Sequence, residues 1–68
     1  MRHTPKYDNH EIKRRIVGEI HKTRDRKILQ LYLINGMSLN EIATEMNISF
    51  YTVRDVWRRY KNELFPPE

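Results

Sequence analysis

Residues 39–58 read LNEIATEMNISFYTVRDVWR, and the fold turns on how this stretch is parsed. Ser38 stands directly before it, and Glu41 follows Ser38 by three residues. Ser-x-x-Glu is capping-box spacing: the hydroxyl accepts a first-turn N–H, and the carboxylate accepts the Ser38 N–H. A helix therefore opens at Leu39. Leu39, Ile42, Ala43 and Met46 are spaced 3, 1 and 3, which places them on one face of a short helix. Asn47-Ile48-Ser49 breaks the pattern. A second helix opens near Ser49 and carries Val53, Val56, Trp57, Tyr60 and Leu64 on one stripe. Two helices joined by so short a turn cross steeply and bring their backbones close. The crossing needs a small residue in the first helix, and Ala43 supplies it. The turn needs a residue that tolerates positive φ, and Asn47 is the most tolerant after glycine. Ile48 plugs the corner, with Ile42 and Met46 facing Val53 and Val56.

Upstream, Asn35-Gly36 ends a preceding helix, because Gly36 adopts the left-handed conformation at a helix C′ position without a Cβ penalty. That helix, capped by Thr23, holds Ile28, Leu29, Leu31, Tyr32 and Leu33. A nearly all-round apolar surface suits a central position. Further back, Asp8 precedes Glu11 at capping-box spacing, and Ile12, Ile16, Val17 and Ile20 follow at helical intervals. Lys13, Arg14, Arg15 and Glu19 lie off that stripe. Gly18 inside this helix costs roughly 1 kcal/mol relative to alanine. Residues 1–7 read as a flexible basic arm punctuated by Pro5, and residues 66–68 as a tail begun by Pro66-Pro67. The expectation is an all-α, small four-helix domain over residues 8–65, with helices near 9–21, 24–35, 39–46 and 49–63.

Composition narrows the function. The chain has 68 residues, 13 basic and 9 acidic, a net charge of +4 and a pI near 9.7. That balance favours a polyanionic partner. Residues 1–27 hold nine basic and four acidic residues, 28–48 only Glu41 and Glu45, and 49–68 four basic and three acidic. Positive charge thus brackets an acidic middle. Cysteine is absent, which removes disulfides, thiolate metal sites and thiol nucleophiles. A chain this short without such staples relies on compact packing, most readily of helices, or on a partner. His3, His10 and His21 have no metal-ligand spacing, so neither metal nor cofactor is expected. No nucleophile–base pair or Gly-rich phosphate loop suggests an enzyme. No apolar run approaches the ~20 residues of a membrane span, and no apolar segment follows the basic N-terminus as in a secretory signal. A cytoplasmic protein is expected.

Residues 39–58, preceded by the Arg26-x-Ile28-Leu29-x-Leu31 pattern, resemble the helix-turn-helix of bacterial DNA-binding proteins, in particular region four of primary-type sigma factors and LuxR-type output domains. The likeness covers residues 23–64 and departs from the usual pattern in having Asn47 where glycine is common. It implies that the second helix of the motif, about residues 49–63, enters the major groove. Base contacts would then come from Phe50, Tyr51, Arg54, Asp55 and Arg58. Arginine forks onto guanine O6 and N7, and aspartate accepts from cytosine N4. Asp55 also reads as a brace for an arginine, and more readily than either as a simply solvated charge. Phe50 reads either as a base contact or as a ring folded onto the core. Phosphate contacts would come from Ser49, Thr52, Arg59 and Lys61, and from a second basic region with Arg14, Arg15, Arg26 and Lys27. Ser49 also reads as a plain helix cap.

Two functions fit these residues. In the first, the chain is a sequence-specific DNA-binding transcription regulator on double-stranded DNA, a free-standing unit suited to a small phage or prophage regulator. One such unit buries modest surface, so a homodimer on two half-sites is expected. In the second, it is a protein-binding adaptor or inhibitor that engages RNA polymerase, a sigma factor or another host protein through Glu41, Glu45, Phe50 and Tyr51. A related alternative is the DNA-binding part of a recombinase or packaging complex.

Overall fold

Asp8, Ser38 and Ser49 each start a helix by turning a side-chain oxygen onto a first-turn N–H. Asp8 Oδ1 accepts from Glu11 N–H at 2.8 Å. Ser38 Oγ accepts from Glu41 N–H at 3.1 Å while Glu41 Oε1 accepts from Ser38 N–H at 2.8 Å, the complete capping box. Ser49 Oγ accepts from Tyr51 N–H at 3.0 Å. The helices they open, together with one further helix, make up the computed structural model, which describes residues 7–66. They are α1 (Asn9–Glu19), α2 (Thr23–Leu33), α3 (Leu39–Met46) and α4 (Phe50–Leu64), and no strand occurs among the described residues. The chain is an all-α domain of four helices.

The start of α2 corrects one expectation. Lys22, not Thr23, stands at the N-cap, and it has no side-chain capping bond. The Arg26 N–H bonds the Lys22 carbonyl at 2.9 Å, so the helical register begins one residue earlier and Thr23 is already inside. The ends of the first two helices also fall short of expectation, at Glu19 and Leu33. Ile20 is extended, and Gly36 is left-handed at φ 77°. After that turn the Met37 N–H reaches back to the Leu31 carbonyl at 3.0 Å.

α2 and α4 form the centre. α1 packs on both as a flanking helix, α3 also packs on both, and α1 and α3 do not touch. The core joins Ile12, Ile16 and Ile20 with Ile28, Leu29 and Leu33, then Ile42 and Ala43, then Val53, Val56 and Leu64. Val17, expected on the first stripe, is instead 46% exposed. Ile12, Ile16 and Ile20 repeat every fourth residue and already define the buried line. Val17 lies about 100° round the helix from Ile16 and falls outside it. Trp57 and Tyr60, expected in the core, are half-buried at its edge. Trp57 packs against Tyr32 with ring centres 4.9 Å apart and ring planes tilted by 58°.

Two arginines tie the flanking helix to the rest. A helix leaves its last carbonyls unpaired and carries partial negative charge there. Arg26 of α2 donates through Nη2 to the Val17 carbonyl at 2.9 Å and through Nε to the Ile20 carbonyl, closing the end of α1. Arg15 of α1 donates through Nη1 to the Leu64 carbonyl at 2.8 Å, closing the end of α4. Arg15 also pairs with Glu11 and lies 4.3 Å over the Tyr7 ring, and Tyr7 packs on Phe65. Tyr7, read from sequence as the end of a flexible arm, is therefore packed. Residues 1–6 of that arm and residues 67–68 of the tail lie outside the described residues. Asp25 is the one buried charged side chain among the described residues. Arg24 holds its Oδ1 at 3.1 Å.

Candidate nucleic-acid interface

The corner between α3 and α4 sets how α4 is presented. Asn47 sits at φ 57°, ψ 47°, in the left-handed region, where a short polar side chain is tolerated better than most. The Ile48 N–H then bonds the Ala43 carbonyl at 3.0 Å, and the Asn47 N–H bonds the Thr44 carbonyl at 3.2 Å. These two bonds are those of a Schellman closure, which satisfies carbonyls the helix end would leave open. Ala43, buried at the crossing, has the small side chain that lets α3 and α4 approach. The turn runs through Asn47, Ile48 and Ser49 only.

α4 buries Val53, Val56 and Leu64 and turns the opposite face outward. Tyr51 is 63% exposed. Arg54 follows it by three residues and Arg58 by seven, so all three share one side of the helix. The Arg54 guanidinium lies 5.0 Å from the centre of the Tyr51 ring, and its Nη2 is 3.4 Å from Asp55 Oδ1. At that length the bond to Asp55 is weak. Arg54 is held near its place yet released at little cost. Asp55 and Arg58 are exposed.

Phe50 lies half-buried against the core and meets Tyr51 edge to face at 5.6 Å. Of the two aromatics at the helix start, then, Phe50 is folded inward and Tyr51 faces out. Thr52 is half-buried, while Arg59 and Lys61 are exposed further along α4. Ser49 is the helix cap. Its oxygen accepts a hydrogen bond there, and its own O–H stays available to donate.

The second basic region divides. Arg15 and Arg26 are occupied by the carbonyls of Leu64, Val17 and Ile20. Arg14 and Lys27 are exposed. α1 meets α4 at its C-terminal end, through Arg15 and Leu64, and α4 is about 22 Å long. Arg14 is thus remote from the first turn of α4. Reading the residues in order missed the Tyr51–Arg54 stack, although its three-residue spacing is a legible helical pairing signal. Nothing local signals that Arg15 and Arg26 serve helix ends, 49 residues away in the case of Arg15 and Leu64.

Among the described residues, no three His, Cys, Asp or Glu converge as a metal site requires. No described helix is long and apolar enough to cross a membrane. A crossed helix pair closed by a three-residue turn, with the second helix presenting arginines, defines a helix-turn-helix protein. Residues 26–63 match a family described as helix-turn-helix domain, and the chain belongs to that family. No curated protein and no solved structure matches the chain.

Proposed function

We propose that the chain is a sequence-specific DNA-binding protein that regulates transcription by laying α4 in the major groove of double-stranded DNA. The observation that carries this reading is the outward face of α4, where Tyr51, Arg54 and Arg58 stand on a helix whose other face is locked into the core. Arg54 forks onto a guanine, Arg58 reads the neighbouring step, and Asp55 accepts from a cytosine or braces Arg54. Tyr51 contacts a thymine methyl or a sugar. Ser49, Thr52, Arg59, Lys61 and Lys27 hold phosphates and set the register. The likeness to sigma region four and LuxR-type output domains supports transcription as the setting, and the cytoplasm as the place.

Selection from a pool of random duplexes tests this. Enrichment of a short motif containing at least one G·C pair that Arg54→Ala ceases to select is the expected result. A pool that stays random, with no retention of duplex at low salt, would refute it. The exposed Tyr51 ring favours one other reading, a protein-binding adaptor on the same scaffold, because exposed aromatics are enriched at interface centres. If Tyr51→Ala leaves DNA selection intact but abolishes binding to RNA polymerase, the adaptor is correct.

A further inference from the structure

Gly18 sits near the end of α1, where a helical glycine is less stable than alanine. Among the described residues nothing outside its own stretch of helix requires it: a Cβ placed there meets no other atom within 4 Å, and the residue is not left-handed. A glycine without an internal reason suggests close approach from outside. Its neighbour Val17 is exposed, one of two large apolar side chains so exposed among the described residues. Lys13 and Arg14 lie one turn back on the same side, and all four line one shallow groove. The outer face of α1 is therefore bare backbone and an apolar knob within a basic rim.

The outer face of α3 has the complementary character. Half-buried Met37 lines a second shallow groove with Glu41 and Glu45, the only charged residues between positions 28 and 48. We propose that the α1 face of one copy docks on the α3 face of a second copy, with Val17 and Gly18 against Met37, and Lys13 and Arg14 opposite Glu41 and Glu45. A phosphate backbone would engage the basic rim but gain nothing from Val17. A protein surface with an apolar centre and acidic rim satisfies both features, and this chain carries one.

α1 and α3 do not touch one another, and the grooves on their outer faces are lined by opposite charges. An α1 face set on an α3 face joins two different surfaces, so the pairing is head-to-tail rather than two-fold. One helix face on each side falls well below the ~800 Å² per partner of a stable interface. The association is therefore weak and sensitive to salt. If the DNA-binding reading holds, copies in this arrangement read tandem repeats in one direction, not inverted ones.

Sedimentation of the full chain without DNA tests the pairing independently of any DNA-binding reading. At low salt the wild type is expected to self-associate as concentration rises, and severalfold more salt reverses it. Val17→Lys and Glu45→Lys, both at exposed positions and checked for helical content by circular dichroism, are each expected to remain monomeric. Mixing the two variants restores a 1:1 dimer and nothing larger, because one keeps an intact α3 face and the other an intact α1 face. A wild type that stays monomeric at its highest soluble concentration in low salt overturns the proposal. So does association that survives in either variant alone, or an equal mixture that remains monomeric.

Discussion

Asn47 decides the geometry of the α3–α4 corner with one pair of torsion angles. A left-handed residue must avoid a clash between its Cβ and the following carbonyl, and asparagine bears this better than a β-branched residue. Asn47→Gly is therefore expected to leave stability unchanged or raise it by up to about 1 kcal/mol, whereas Asn47→Val lowers it by about 1–3 kcal/mol. Urea denaturation of the two variants checks the sign of each. The need for such a residue was legible in the sequence, because a capping box, a small residue and a break lie within a dozen positions of one another. The role of Arg15 was not legible. Its spacing from Lys13 and Arg14 marks only a basic stretch, and its bond to the Leu64 carbonyl exists only once α1 lies against α4.

Among the elements, the α3–α4 crossing carries the tightest packing constraint. Ala43→Leu adds three carbons where two backbones meet and should cost about 1–3 kcal/mol, read as a lower denaturation midpoint. A parent-like midpoint would mean that the crossing lies elsewhere. α1 responds in the opposite sense. Gly18 has open space at its Cβ position, so Gly18→Ala should raise stability by about 0.5–1 kcal/mol, measurable as a higher Tm. α2 contributes a pH dependence through Tyr32, whose phenol is pushed above its ordinary value of 10.0 by burial. Burial disfavours the phenolate in the folded state. Stability is then unaffected by this group below pH 10, and is lost as pH rises from there through the raised folded value. Tyr32→Phe should remove this part of the alkaline loss in denaturation series run above pH 10. Periodicity located all four helices because it is a local property. It misjudged Val17, Trp57 and Tyr60, since a stripe of apolar residues does not say which of its edges the neighbouring helices cover.

At the scale of the whole molecule, a core of eleven apolar residues among those described holds α4 so that one side is fixed and the other is free. The basic ends of the chain divide accordingly. Arg15 and Arg26 brace helix termini, while Arg54, Arg58, Arg59 and Lys61 remain on the α4 surface. The helix-turn-helix and its corner could be read from residues 23–64, but this division of labour among arginines depends on contacts between distant elements. The central claim is that α4 reads bases near its start and holds phosphates further along. Binding of wild type, Arg54→Ala and Lys61→Ala to a selected duplex and to a random one, across a salt series, tests it most directly. Arg54→Ala should lose about 1–3 kcal/mol on the selected duplex alone. Lys61→Ala should weaken both duplexes alike and reduce the slope of log K against log salt by about one unit. Equal losses on both duplexes for Arg54→Ala, or a wild-type affinity that does not change with salt, would contradict the account.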